Sequence, residues 1–271
     1  SELIGLVPRQ ALLAAGDHYL TLQGATTGIP ESARVHAAVL SLGLDELAPF
    51  DPASKVIEYA FGDDGGELGG LPLAAFADAL SGDAPAPGGG SVAALAGALA
   101  SALASMVAAL TFSKKGMEPL RPEMEDLGRR AQELKDWFTT AIDRDTDAFN
   151  AVLTARRLPR KSAEDIEARE AAIAAADLGA TVVPLEVLES SVRALELILA
   201  VARSGNPTSV TDAGVGGWCG LAAAEGASLN VRINLQGLDG DHSDLIDRHD
   251  SALGAARELA AQVAKAVEAH L

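Results

Sequence analysis

Two short segments of the chain contain residue types that can carry chemistry, and the first is rich in glycine. Gly88, Gly89 and Gly90 are followed by Ser91 and by an apolar run that ends at Phe112. Three glycines let the backbone turn sharply or approach a ligand closely. A helix that starts here would place its positive dipole end beside the glycines, with Ser91 as the N-cap. The segment is therefore either a site for an anionic or polar ligand or an ordinary flexible turn before a helix.

The second segment is acidic, with Asp143, Asp145 and Asp147 inside a long helical pattern. On a helix, Asp143 and Asp147 share one face, while Asp145 points roughly the opposite way. The spacing is that of the start of a calcium loop, but the later glycine and the closing glutamate of an EF-hand are absent. Because aspartate is a mediocre residue inside a helix, the cluster indicates either a solvated helix face or a functional carboxylate.

Basic residues form two local groups near these segments. Lys114 and Lys115 follow the apolar run, and residues 156–161 contain four basic side chains. In a chain with a net charge of -17, such groups favour the docking of a polyanionic small molecule. The alternative is that they complement the negative ends of helices. The five histidines and Cys219 lack the spacing of zinc ligands, so no metal site is predicted.

The composition predicts a mainly α-helical fold. Apolar residues make up 48% of the 271 residues but aromatic residues only 4%, so alanine, leucine and valine must supply most of the core. The acidic balance argues against nucleic acid and against anionic membranes as partners. A single cysteine and the absence of a signal-peptide pattern predict a cytoplasmic protein. The uncharged run 92–112 has the length of a membrane span, but its small residues predict a buried helix.

The chain divides into three predicted parts. Residues 1–61 combine helical patterns with short β-branched runs, which predicts a small α+β segment. Residues 62–70 are mostly glycine and acid and predict a linker. Residues 71–271 are predicted to be helical almost throughout, with Pro184 as a kink or break. The run 229–235 alternates strictly with period two, which indicates a strand or a buried extended segment.

Taken together, these motifs resemble the formimidoyltransferase-cyclodeaminase family. The segments that carry the resemblance over 71–271 occur in the family's order: Pro87–Ala94, Asp143-x-Asp145-x-x-Ala148-Phe149, Arg157-Leu158-Pro159, Val183-Pro184-Leu185, Gly205-Asn206, Asp212 and Asn230–Leu235. Residues 1–8 and 42–44 also resemble the end of the transferase half, which precedes the deaminase in the bifunctional enzymes. Most of that half is missing, so the chain alone is not expected to transfer a formimidoyl group.

The resemblance implies a fold, an activity and a site. It implies an all-helical cyclodeaminase domain that forms a homodimer or a higher homo-oligomer and binds folate in a cleft near the subunit interface. It implies an ammonia-lyase of histidine degradation that converts 5-formimidoyltetrahydrofolate to 5,10-methenyltetrahydrofolate and ammonia, with the folate as substrate and no cofactor. The match to the family's catalytic aspartate is Asp145, which we expect to relay protons. The expected substrate-binding residues are Gly88, Gly89, Gly90, Ser91, Lys114, Lys115, Arg157 and Asn230.

Two other functions remain open at the level of the sequence. A methenyltetrahydrofolate cyclohydrolase of the same family would act on the same carbon with water, and the glycine-serine and aspartate motifs do not separate it from the deaminase. The residues that resemble a transferase favour the deaminase. The alternative from another class is a non-catalytic helical module for oligomerisation, which would not need an aspartate at position 145.

Overall fold

The computed structural model describes residues 1–62 and 66–271, which form ten α-helices and a single isolated β-bridge between Val7 and Val56. The helices are α1 (Arg9–Leu22), α2 (Glu31–Leu42), α3 (Pro52–Lys55), α4 (Ile57–Phe61), α5 (Leu73–Leu80), α6 (Gly89–Ser113), α7 (Arg121–Arg156), α8 (Ala163–Ser204), α9 (Val210–Leu235) and α10 (Ser243–Glu268). Short 3₁₀ turns at Glu118–Leu120 and Pro207–Ser209 precede α7 and α9. The predicted all-helical fold is confirmed.

Helix α6 lies at the centre of the larger unit and contacts α7, α8 and α9. Its small residues let its neighbours come close. At Gly97, an added Cβ would overlap the ring of Phe138, a fully buried residue of α7. On α9, Gly216 and Gly220 play the same part against Ile198 and Leu195 of α8. The core is therefore made by close helix contact as much as by large side chains.

Two helices are long and apolar enough to cross a membrane by length and composition. They are α6 and α8, and 56% of the most apolar window of α6 is buried inside the fold. Length and composition do not separate a membrane span from a core helix. The packing of α6 against three other helices is the arrangement of a core helix.

Residues 1–62 contain four helices and one isolated β-bridge, so their β content is smaller than the sequence predicts. Lys55 is the last residue of α3, and Val56 forms the bridge with Val7. Residues 57–61 form α4. The core of this unit lies between α1 and α2, with Leu12, Val35 and Val39 buried. β-Branched residues favour a strand only when a neighbouring strand is present to pair with them. Here only one residue pair forms, so the run does not become a strand.

The prediction of a strand or an extended segment at 229–235 is wrong. These residues form the last turns of α9. Apolar and polar residues alternate here for a reason unrelated to a sheet. Val231 is buried in the bundle, whereas Leu229 and Ile233 are exposed and Asn230 and Asn234 face a cavity.

The structure shows no break of the helix at Pro184, where the sequence predicts a kink or a break. Helix α8 continues through Pro184 from Ala163 to Ser204.

The N-terminal unit is held against α7 by one carboxylate. Glu125 accepts hydrogen bonds from the hydroxyls of Thr26 and Thr27 and from the Thr27 N–H. Beside it, the backbones of Gly28 and Gly128 lie so close that a Cβ on Gly28 would stand 2.8 Å from Gly128. Charge-assisted hydrogen bonds are the stronger class, so Glu125 anchors residues 1–62 to the bundle.

Replacing Glu125 by alanine is expected to lower the free energy of unfolding by about 2–3 kcal/mol, since buried donors on Thr26 and Thr27 lose a charged acceptor. The matched control is Glu133→Ala, because Glu133 is exposed on the same helix and surface changes stay within about 0.5 kcal/mol. Urea unfolding followed by circular dichroism measures both. Equal midpoints for the two variants would show that Glu125 does not anchor the unit.

Candidate active site

The carboxyl end of α9, the last third of α7 and the start of α6 enclose a cavity of about 410 Å³. Part of α8 closes the remaining side. The residues that line the cavity are Pro85, Ala86, Gly88, Gly89, Gly90, Asp145, Ala148, Phe149, Val152, Leu153, Arg156, Asp177, Ala180, Asn230, Ile233, Asn234 and Gly237. A cavity of this size, into which several polar side chains converge, is typical of a small-molecule site.

Asp145 projects from α7 against the glycine turn. Its Oδ2 lies 3.0 Å from the Ser91 hydroxyl. A Cβ on Gly90 would overlap the Asp145 carboxylate, so the turn needs a glycine there to let the carboxylate reach this position. The two segments that the sequence singled out separately therefore form one site.

Ser91 is not the N-cap that the sequence predicts. Helix α6 begins at Gly89 with Gly88 as its N-cap, so Ser91 lies in the first turn, where it is completely buried. Its hydroxyl faces both Asp145 and the backbone oxygen of Ile142, which is 3.1 Å away. Because a hydroxyl carries one proton, it can donate to an ionised Asp145. It can also donate to Ile142 and accept a hydrogen bond from a protonated Asp145.

Burial raises the pKa of the Asp145 carboxyl above its ordinary value, and hydrogen bonds from Ser91 oppose part of that rise. Removing a carboxylate from water disfavours its charged form. A carboxyl with a raised pKa exchanges a proton more readily near neutral pH than an exposed aspartate does. Asp145 therefore has the environment of a group that both accepts and returns a proton.

Two amides on α9 form the polar wall opposite Asp145. Asn230 and Asn234 are one turn apart and so share a face. The Asn230 Nδ2 donates to the backbone oxygen of Gly226 at 2.9 Å, and the Asn234 Nδ2 donates to that of Ala180 at 2.7 Å. Asn230 was predicted as a binding residue, but Asn234 was not. Its spacing of four from Asn230 would have indicated it if the segment had been identified as helical.

The far end of the cavity carries a pair of opposite charges. Arg156, at the end of α7, lies 3.5 Å from Asp177 of α8. Apolar side chains of α7, namely Phe149, Val152 and Leu153, separate this pair from Asp145. Arg156, rather than the predicted Arg157, lines the cavity. Asp145 and Arg156 are eleven positions apart in α7, and this separation corresponds to about 16 Å along a helix.

The structure does not bring Lys114 and Lys115 to the cavity. They follow the last residue of α6, whereas the glycines stand at its start, and a helix of this length spans about 37 Å. The Lys114 Nζ instead donates to Asn206 Oδ1 at 2.6 Å. The prediction for these lysines conflicts with the helix predicted over 92–112, because a helix of that length already places its two ends far apart.

Asp143 and Asp147 have other positions. The Asp143 carboxylate accepts hydrogen bonds from the backbone N–H groups of Leu68 and Gly69, at 2.8 and 2.9 Å. Part of the predicted linker 62–70 is thus bound to α7. Residues 63–65 of that linker lie outside the described residues. Asp147 is exposed, as expected for a solvated helix face.

A buried Ser-His pair lies apart from the cavity. Ser228 Oγ is 2.8 Å from His249 Nε2, and His249 Nδ1 is 2.8 Å from the Asp250 carboxylate. This order of contacts is that of a hydrolase triad. However, Ser228 is 2% exposed and does not line the cavity, so the pair joins α9 to α10. Within residues 1–62 and 66–271, no group of three His, Cys, Asp or Glu side chains is arranged to hold a metal ion.

Comparison with known proteins identifies two family matches along the chain. Residues 72–247 match the formiminotransferase-cyclodeaminase family, and residues 1–62 match the formiminotransferase domain. A crystal structure of formiminotetrahydrofolate cyclodeaminase from Thermotoga maritima superimposes with a TM-score of 0.68 at 26% identity. The match covers 75% of this chain and 98% of that one.

The similar proteins include both a cyclodeaminase and a cyclohydrolase. The formimidoyltransferase-cyclodeaminase of Rattus norvegicus is 35% identical over 273 residues, which cover 99% of this chain and 50% of that protein. The methenyltetrahydrofolate cyclohydrolase of Methylorubrum extorquens is 37% identical over 171 residues, covering 63% of this chain and 82% of that protein. The chain thus spans about half the length of the bifunctional relatives. On its motifs, its fold and these matches, the chain belongs to the formiminotransferase-cyclodeaminase family.

Proposed function

We propose that this protein is a formimidoyltetrahydrofolate cyclodeaminase in which Asp145 relays protons. The observation that carries the proposal is the position of Asp145, half-buried between the glycine turn and the cavity, with a raised pKa and a hydroxyl beside it. A solvated helix face or a scaffold has no need of such a carboxyl. Perturbed carboxyls in a cleft are typical of catalytic sites.

The reaction needs little beyond proton transfer. The lone pair of N10 attacks the formimidoyl carbon of the same molecule, so the two reacting groups are already close. The formimidoyl group reacts in its protonated form, in which the nitrogen carries two hydrogens. Asp145 takes the proton from N10 and delivers it to that nitrogen, which then carries three. The bond between the carbon and that nitrogen then breaks, ammonia leaves with the electron pair, and N5 and N10 share the methenyl carbon. One carboxyl can act as base and then as acid because it ends each cycle in its starting state.

Ser91 supports this cycle by holding the Asp145 carboxyl in both protonation states. It donates to the ionised form and accepts from the protonated form, as its contacts with Oδ2 and with the Ile142 oxygen allow. The carboxyl thus keeps its orientation while its charge changes. Arg156 at the far end provides a cation for the glutamate carboxylates of the folate.

We also propose that the protein works as a homodimer through α6 and α9. Helix α6 has no charged residue, and its exposed surface carries Leu99, Met106 and Leu110. Helix α9 exposes Val215 and Trp218, the latter 66% accessible. Large exposed apolar side chains on two adjacent helices favour a subunit interface. Light scattering is expected to give twice the mass of the chain, and a monomer at micromolar concentration would count against this interface.

The test of the activity is direct. Purified protein is given 5-formimidoyltetrahydrofolate, and the absorbance of methenyltetrahydrofolate is followed while ammonia is quantified. Equal amounts of both products are expected. The absence of both products would remove the proposal and leave the cyclohydrolase and the non-catalytic helical module as alternatives.

The second candidate is methenyltetrahydrofolate cyclohydrolase, favoured by the similarity to the Methylorubrum extorquens protein. In that case the protein would accelerate the loss of added methenyltetrahydrofolate by hydrolysis and release no ammonia. We prefer the deaminase because residues 1–62 match the formiminotransferase domain, and a formimidoyl transfer to folate produces the substrate of a deaminase.

A further inference from the structure

Pro184 creates an unusual opening in the hydrogen-bond ladder of α8. In a helix, each N–H donates to the carbonyl four residues earlier, and proline has no N–H to donate. The carbonyl that loses its donor is that of Ala180, which lines the cavity. Pro184 is buried inside the helix, so a replacement donor for the Ala180 carbonyl has to come from the cavity or from a neighbouring helix.

The side chain of Asn234 supplies the missing donor. Its Nδ2 lies 2.7 Å from the Ala180 oxygen. A carbonyl oxygen can accept a hydrogen bond but cannot give one, so the NH₂ end of the amide must face Ala180. The orientation of the Asn234 amide is therefore set by its partner, and its Oδ1 is left as an acceptor.

The neighbouring amide is oriented in the same way. The Asn230 Nδ2 donates to the Gly226 oxygen, and Asn230 stands next to Gly89 in the wall of the cavity. Among the residues that the structure describes, neither Oδ1 accepts a hydrogen bond from the protein, and neither is a fully buried atom without a partner. Each amide therefore offers its Oδ1 as an acceptor and the second hydrogen of its Nδ2 as a donor.

We infer that Asn234 is a substrate-binding residue whose Oδ1 accepts a hydrogen bond from an N–H group of the folate. The contribution of Pro184 is to free the Ala180 carbonyl that orients this amide. The inference rests on the proposed folate substrate. A reduced folate has several N–H groups that fit this chemistry, on the pteridine, at N10 and in the amide of the p-aminobenzoylglutamate.

The test is a double-mutant cycle on Asn234 and Pro184, with two readouts. Asn234→Ala is expected to weaken tetrahydrofolate binding about tenfold, because a ligand N–H is left unpaired. It is also expected to lower the thermal midpoint, because Ala180 loses its donor. In the Pro184→Ala background the restored N–H at position 184 serves Ala180. In that background, Asn234→Ala should lower the thermal midpoint less than it does in the wild type, while the tenfold loss of affinity should remain.

Calorimetry of tetrahydrofolate binding and thermal melts on the same samples measure both quantities. Asn150→Ala is the matched control, because Asn150 is an exposed asparagine of α7 outside the cavity lining, and it should bind as the wild type does. Unchanged affinity in Asn234→Ala would overturn the inference. So would an affinity loss that disappears together with the stability loss in the Pro184→Ala background, since Asn234 would then act only through the helix.

An analogue without the 2-amino group of the pteridine distinguishes that group from the other N–H groups. If the wild type binds the analogue more weakly than tetrahydrofolate and Asn234→Ala does not, the donor is the 2-amino group. If both proteins discriminate equally, the donor is a different N–H group of the folate. Turnover by the wild type separates this inference from the proposed function: an inactive wild type that does not bind tetrahydrofolate would contradict the function itself.

Discussion

Replacing Asp145 by asparagine is expected to reduce turnover of 5-formimidoyltetrahydrofolate by about 10²–10⁴-fold, the range that a positioned acid-base group contributes. Asparagine keeps the shape of the side chain and can still accept the hydrogen bond from Ser91, so the cavity should remain intact. Substrate binding should change much less than turnover. Steady-state kinetics on methenyltetrahydrofolate formation give kcat and KM separately and test this expectation.

The same substitution is expected to increase stability at neutral pH. Burial raises the pKa of Asp145 in the folded state, so the folded protein prefers the protonated form more than the unfolded chain does. Stability linked to this group is present below the unfolded pKa and is lost as the pH rises through the raised pKa. Asparagine carries no charge to desolvate. Its advantage in thermal midpoint over the wild type should therefore be visible at pH 7 and shrink toward acidic pH.

The matched control for this pair of effects is Asp147→Asn. Asp147 is exposed on the same helix, and its replacement should change neither turnover nor the pH dependence of the melt. Turnover of Asp145→Asn within a factor of two or three of the wild type would remove Asp145 from the mechanism. Loss of activity together with a collapsed melt would instead mean a structural role.

Gly90→Ala is expected to reduce turnover by about 100-fold, because a small misplacement of a catalytic group costs this much. The new Cβ would overlap the Asp145 carboxylate. Gly90 is buried in the first turn of α6, so either the carboxylate must leave its position or the turn must move. Overpacking of this kind also destabilises by about 1–3 kcal/mol. Kinetics and urea unfolding measure the two effects.

Gly254→Ala is the control for Gly90→Ala. Both glycines lie in helices, but Gly254 is exposed on α10 and a Cβ there would meet nothing within 4 Å. Its replacement should leave turnover unchanged and raise stability by up to about 1 kcal/mol, the helix penalty of glycine. If Gly90→Ala keeps both the turnover and the stability of the wild type, the close contact between the turn and Asp145 is not required.

Much of the fold could be predicted from local features of the chain. An alanine-rich, aromatic-poor composition and repeated amphipathic patterns indicate helices wherever they occur, because helix propensity and periodicity are properties of neighbouring residues. The acidic cluster and the glycines before Ser91 were identified for the same reason, as residue types unusual in their local setting, and the resemblance to the family then singled out Asp145. The period-two pattern at 229–235 indicated a strand because the sequence does not distinguish exposed apolar residues, such as Leu229 and Ile233, from a buried one, such as Val231.

The arrangement of the site depends on which helix faces meet, and this is a long-range property. Nothing near Ser91 in the chain shows that its hydroxyl reaches Asp145, 54 residues away. Nothing near Lys114 shows that its ammonium group reaches Asn206, 92 residues away. The role of Asn234 depends on a proline 50 positions earlier, whose missing N–H has no visible consequence until α8 and α9 pack. Local propensity makes the helices, but only their packing brings a carbonyl, an amide and a carboxyl to one cavity.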